Sequence, residues 1–344
     1  MANYADSRRN ALQWAMTDVM SMPEFKRKED ATLKMFLANG QSLISSKERE
    51  KIRVKKSDSD TVEANILIKP TTNAVTARSY THSGNIGDSD KATISFVTRG
   101  QIFKWSKKQA DRDSVFTLEQ MKAKLFLGHI GLLLDTLETY YLAYLSTNKS
   151  QVSAEPSLGS WDGTNYLYRV PNGDADYFFQ RTKGFMRENY YKGALQLVGN
   201  EAIIQRAERL MNQGAGNSEN LAWQLSNIEP FVTTELSNDD GYLGMAYVIP
   251  KGTVGLEQWI PDLNIKGDGH PNQLGGMYYS IPCPYGTGFT YAVHEIAVGA
   301  DNNGAAGETQ DVDVEVEISI DTAPVKAIMT TSNASPIFKA GLVV

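Results

Sequence analysis

Few residues of this chain have the types and spacings that catalysis or metal binding requires. The four histidines, His82, His129, His270 and His294, share no metal-motif spacing. Cys283 is the only cysteine, which excludes an intrachain disulfide and a cysteine zinc cluster. The sequence has no G-x-G-x-x-G, P-loop, G-x-S-x-G or H-E-x-x-H pattern. His294 and Glu295 are adjacent, but neighbours on a strand point to opposite faces and do not cooperate. Gly267-Asp268-Gly269-His270 has the composition of an ordinary turn. Cys283 lies between two prolines and reads as a small hydrophobe, and His129 reads as a satisfied core or interface histidine. The expectation is a protein that is not an enzyme, with no catalytic residue, no cofactor and no metal site.

The pronounced chemical feature is charge. Asp311, Asp313, Glu315 and Glu317 alternate with Val312, Val314, Val316 and Ile318, so a strand here buries the apolar set and lines up four carboxylates. A hard cation suits carboxylates, but a straight strand splays them where a calcium loop gathers them. A solvated or interface face is therefore expected. The complementary charge lies at the other end of the chain, where residues 1–56 hold 12 Lys/Arg against 7 Asp/Glu in a chain of net charge −6. Arg49, Arg53 and Lys55 are candidates to meet Asp311, Asp313, Glu315 and Glu317 of a neighbouring copy. The alternative use of the acids is to repel nucleic acid by like charge. The basic cluster around Arg49 is interleaved with Glu48 and Glu50 and carries no nucleic-acid motif, so only loose contact with nucleic acid is compatible with it.

The elements that position these residues follow from length and periodicity. With 344 residues the chain exceeds one ordinary core, so two domains or one domain with large excursions are expected. The longest apolar run, Leu125 to Leu134, contains His129 and is far too short to span a bilayer. The first six residues lack the order of a signal peptide, so a cytoplasmic site of synthesis is expected. Residues 1–45 read as a helical arm that stops at Asn39-Gly40, with no core of its own. Ile52 to Lys55 alternates like a strand, and Val62 to Ile68 and Ala92 to Thr98 pair across a polar turn at Ser83–Asp90, so 50–98 reads as a long β-hairpin. Ile102 to Trp105 follows a bulge or turn at Gly100.

Thr117 and Gln120 form a capping box that opens a helix to about Leu145, with Leu133 on its apolar face. Gly128 and Gly131 inside it either admit a crossing element or let the helix bend. Residues 146–173 read as turns. A helix through Tyr177, Phe178, Phe185, Met186 and Tyr190, a buried strand at Leu195–Val198, a helix capped by Asn200 and a short helix capped by Ser218 come next. The last hundred residues are strands and turns, at Tyr242–Ile249, Val254–Ile260, Met277–Ile281, Phe289–Val298 and 311–321.

This order of parts resembles the Hong Kong 97-like fold of tailed-phage major capsid proteins. The resemblance implies an α+β fold divided as N-terminal arm 1–49, extended β-loop 50–98, peripheral domain 99–173 with its spine helix, axial α/β domain 174–299 and return strands 300–344. It implies self-assembly into hexamers and pentamers of an icosahedral shell around double-stranded DNA, in the virion, after assembly in a host bacterial cytoplasm. It also implies a separate scaffolding protein, a portal and decoration or head-completion proteins as partners. The family has no compact motif, so no site residue carries over. Some members crosslink through a lysine and an asparagine with a nearby acid; Lys91 at the foot of the loop is available, but nothing identifies it as such a residue and no crosslinking is expected. Two alternatives are an encapsulin-like compartment, which shares the fold, and a carbohydrate-acting or carbohydrate-binding protein using Trp161, Trp223, Trp259 and Tyr278-Tyr279.

Overall fold

The computed structural model describes residues 4–22, 30–56, 59–67, 89–106, 118–206, 227–239, 241–266, 276–298, 313–327 and 333–344. Thr117, most of the Ser83–Asp90 turn, the Ser218 helix, the Gly267–His270 turn, Asp311 and Val312 lie outside the described residues. The fold is mixed α+β. It divides into a first unit of Met1–Asp30, Phe96–Glu138 and Gln258–Ala323, and a second of Ala31–Ser95, Thr139–Glu257 and Pro324–Val344.

The first unit is built on an antiparallel sheet in which Gly276–Pro282, Thr290–Val298, Asp313–Lys326 and Val97–Ser106 are successive neighbours. The period-two alternation does what its chemistry requires: Val316, Ile318 and Ile320 are buried while Glu317 is exposed. Phe103, Val316 and Glu295 share one row of the buried face, and Val293 and Ile318 share the next. The early part of the Leu118–Thr147 helix packs there, its Phe126 edge-on to Phe103 at 5.1 Å and its His129 stacked on Phe103 at 4.4 Å. The Tyr4–Val19 helix buries Leu12, Ala15, Met16 and Val19 and lies against Gly276–Pro282. Asn264, on the short helix Asp262–Lys266, donates from Nδ2 to the carbonyls of Tyr279 and Val293 at 2.9 and 2.8 Å.

The second unit holds a six-stranded sheet ordered Ser160–Asp162, Leu167–Val170, Phe338–Val343, Tyr242–Pro250, Leu195–Gly199 and Ile228–Val232. Leu195–Gly199 is buried along its whole length, and its one polar member, Gln196, accepts from Asn39 Nδ2 at 2.5 Å. The Phe178–Glu188 helix presents Phe178, Phe179, Phe185 and Met186 to the core beneath it. Asn200 caps the helix at 201–206, its Oδ1 accepting from the Ile203 amide at 3.4 Å. The hairpin of Thr61–Leu67 and Ser89–Ser95 also belongs here, paired in register from Thr61↔Ser95 to Leu67↔Ser89. Among the described residues these two strands pair only with each other.

Several expectations are corrected. Residues 46–56 form a helix, not a strand. Ser45 caps it, its Oγ accepting from the Glu48 amide, and the buried pair is Ile52 and Lys56, four residues apart, while Val54 is 66% exposed. Asn39-Gly40 does not end its helix, which runs Ala31–Leu43. Gly40 serves a close backbone approach: a Cβ there would lie 2.2 Å from the carbonyl oxygen of Leu256. The arm does have cover within the chain, since Leu33, Met35 and Phe36 are fully buried and Phe36 packs on Tyr141 at 4.7 Å. The strand through Gly100 is uninterrupted, and the break falls at Phe96, where the chain leaves the hairpin for the larger sheet. A Cβ at Gly128 would meet nothing within 4 Å, so among the described residues no element crosses at that position. Tyr190 lies beyond its helix, which ends at Glu188, and is 89% exposed at φ 66°. The stretch 146–173 contains two strands of the second unit's sheet rather than turns alone.

Candidate intersubunit surfaces

The outward face of the first unit's sheet is built in rows fixed by strand register. One row is Tyr278, His294, Glu317 and Ile102, and the next is Gly276, Ile296, Glu315 and Lys104. Lys104 stands directly opposite Glu315 and binds its Oε1 at 2.5 Å. The acidic strand is thus partly neutralised by its own sheet, so Glu315 is not solely a solvated or intersubunit charge. Glu317 is exposed beside Ile102, which is 68% exposed. Asp313 begins the strand, paired with Val298 on one side and Ser106 on the other.

The basic candidates occupy the Ser46–Lys56 helix of the second unit. Arg49 already has an intrachain role: its Nε binds Glu257 Oε1 at 3.0 Å and its Nη2 donates to the Gly40 carbonyl at 2.8 Å. Burial pushes the Glu257 carboxyl above its ordinary range, and the charges of Arg49 and Arg53 oppose that rise. Arg53 and Lys55 are exposed on the outer side of the helix. Arg49, Gly40 and Glu257 together clasp the Ala31–Leu43 and Ser46–Lys56 helices to the Val254–Trp259 strand, where neither Gly40 nor Gly255 has room for a Cβ.

The residues weighed for catalysis fall as follows. His294 stacks on Tyr278 at 4.4 Å on the outward face, whereas Glu295 is buried and accepts from the Tyr279 hydroxyl at 2.6 Å. Against the expectation of a satisfied histidine, the buried Nδ1 of His129 has no hydrogen-bond partner among the described residues, and desolvation lowers its pKa. Cys283 is buried in its turn, its amide donating to the Phe289 carbonyl at 2.7 Å. Trp161 is stacked on Phe185 within the core region rather than presented as a sugar platform. His82, His270 and Trp223 lie outside the described residues. Among the described residues no group of three or more His, Cys, Asp or Glu is arranged to hold a metal, and no helix is long and apolar enough to cross a membrane.

One charged cluster has no sequence signature. Arg169 binds Asp162 and donates from Nε to the Tyr242 hydroxyl at 2.9 Å, and Lys339 binds Asp239 at 2.6 Å. Burial pushes the Asp162 carboxyl up, but hydrogen bonds from Asn165, Thr164 and Arg169 outweigh it and hold it at about 2. Asp162 and Arg169 share one short hairpin, whereas Tyr242, Asp239 and Lys339 come from segments far apart in the chain that only the sheet brings together.

No family model matches the chain, and no curated protein matches it. Similar solved structures include a chain of Mycobacterium phage Cain, 10% identical, with 92% of this chain and 91% of that chain covered at a TM-score of 0.48. Another is the capsid of Myoviridae phage XM1, 12% identical, covering 90% and 91% at a TM-score of 0.45. A third is the capsid structure of cyanophage P-SCSP1u, 11% identical, covering 83% of each chain at a TM-score of 0.42. With TM-scores below 0.5, these likenesses carry no residue, ligand or partner over to this chain.

Proposed function

We propose that this chain is a structural shell subunit, the major capsid protein of a tailed phage with a Hong Kong 97-like fold, assembling into hexamers and pentamers around double-stranded DNA. The observation that carries the reading is the two-stranded hairpin followed in sequence by the 30-residue helix Leu118–Thr147. A two-stranded hairpin is marginal alone and gains stability when another surface covers it. A helix more than twice the usual length gives a subunit a rigid element across which contacts can be spread. In a closed shell, neighbours supply the covering surface through rotation-related contacts.

The division into arm 1–49, β-loop 50–98, peripheral domain 99–173, axial domain 174–299 and return strands 300–344 belongs to this reading. So do a separate scaffolding protein, a portal, decoration or head-completion proteins, non-specific DNA contact, assembly in a bacterial cytoplasm and a final place in the virion. The exposed Lys55 and Glu317 are available for contacts between copies, with Arg53, Asp311 and Asp313 as further candidates, while Arg49 and Glu315 already have partners within the chain. Electron microscopy and sedimentation of the purified protein test the proposal. Rings, capsomers or closed shells are expected as concentration rises. A chain that stays monomeric at every concentration and ionic strength, with or without a co-expressed scaffold, would overturn it.

A further inference from the structure

Beside the core of the second unit lies a cleft of about 330 Å³, large enough for a substantial side chain. Its floor is Tyr168 stacked on Phe185 at 4.2 Å, and its lips are Leu158 and Tyr177, both more than half exposed. One face of the Phe178–Glu188 helix forms the wall. At the middle of that wall is Gly184, where a Cβ would meet nothing within 4 Å. Arg181 lies one turn before it, bound to Asp174 at 3.1 Å, and Glu188 one turn after, accepting from the Ser157 amide at 3.2 Å. An aromatic floor, a missing side chain and opposite charges one turn to either side form a receptor for a large apolar side chain carried on a helix.

The chain itself presents such a side chain. Trp14, on the Tyr4–Val19 helix, is 77% exposed, although burying a tryptophan removes on the order of 150–250 Å² from water. Asn10 and Asp18 flank it one turn away on the same face, and both are exposed. Asp18 Oδ2 accepts one hydrogen bond from Gln120 at 3.2 Å, which leaves its second oxygen available. We infer that the cleft receives Trp14 from the arm helix of a second copy, the two helices crossing antiparallel. That direction sets Trp14 over Gly184, the Asp18 carboxylate against Arg181 and the Asn10 amide against Glu188. The reverse direction would oppose Asp18 and Glu188, two like charges. The inference rests on the self-assembly reading and names one contact through which assembly proceeds.

Two variants of the full-length chain test it. Trp14→Ala removes an exposed side chain and leaves the fold alone. Gly184→Leu fills the cleft and replaces a helical glycine with a better helix former, so it preserves or raises the melting temperature. Each is expected to raise the concentration for half-assembly roughly 30-fold, the loss typical of a tryptophan anchor. The double variant is expected to be no worse than the singles, since both remove one contact. Iodide quenching of Trp14 fluorescence is expected to fall on assembly of the wild type. Assembly of either folded variant at the wild-type concentration overturns the inference while leaving the self-assembly reading intact. A wild type that never assembles overturns both, and a cleft that binds an unrelated peptide without changing assembly assigns it to a different occupant.

Discussion

At the scale of single residues, the arm is fixed by a charge pair rather than by apolar burial alone. Arg49 and Glu257 are 208 positions apart in sequence, and the Glu257 side chain is 9% exposed in the pair. Arg49→Ala leaves a buried carboxylate without its principal counter-charge. The expected cost at neutral pH is about 2–3 kcal/mol, below that of a fully buried pair because the Arg49 side chain is itself 22% exposed. The pH dependence has a definite sign. Glu257 has a folded-state pKa above its ordinary value, so the fold favours its protonated form. Stability from that preference grows as pH falls through the folded pKa and is lost as pH rises through it. The Arg49→Ala deficit is therefore expected to shrink on acidification from neutral pH, as read by denaturant melts at several pH values. A deficit independent of pH would show that Arg49 acts through packing and its Gly40 hydrogen bond. The sequence announced some residue-scale features, such as the Asn200 cap, because a cap and its partner are three positions apart. It was silent on the Arg49–Glu257 pair and on the Arg169–Tyr242 contact, because partners 208 and 73 positions apart carry nothing local that encodes each other.

At the scale of elements, legibility depended on how many periods a pattern repeats. The strand Asp313–Lys326 repeats its alternation many times and the long helix repeats its own, so both were readable to within a few residues. Ile52 and Val54 supply a single period-two repeat, and the same stretch satisfies a helix through Ile52 and Lys56; the Ser45 cap decides for the helix. The long helix also provides a paired test of which stripe is buried. Leu133 is 1% exposed and Leu132 is 54% exposed. Leu133→Asp is expected to abolish soluble folded protein, since burying an unpaired carboxylate costs several kcal/mol. Leu132→Asp is expected to change the melting temperature little in the unassembled chain. Equal behaviour of the two in circular dichroism melts would show that the helix turns another face to the core.

At the scale of the whole molecule, the chain enters each of its two units three times, and no local pattern in the sequence marks those returns. What composition does encode is a charge asymmetry, basic near the start and acidic near the end, and its use depends on which charges remain unspent in the folded chain. Glu315 is paired with Lys104, and Arg49 with Glu257, so those two contribute little to attraction between copies. Glu317 and Lys55 are exposed, whereas Arg53 also acts on Glu257 within the chain. Each exposed pair is worth about 0.2–1 kcal/mol, but a shell repeats it at every subunit. Such pairs are screened over about 8–10 Å near physiological ionic strength. Assembly of the wild type is therefore expected to slow as salt rises, with a variant carrying Asp313→Asn and Glu317→Gln assembling more slowly at low salt and losing most of the salt response. If the acids instead face the shell interior, neutralisation leaves assembly unchanged, and Glu317→Lys impairs genome packaging because DNA adheres to the wall. Light scattering at low and high salt, with DNA content of the resulting particles, separates the two. Assembly and packaging both unchanged in all variants would leave this face as solvated surface and remove it from the contacts between copies.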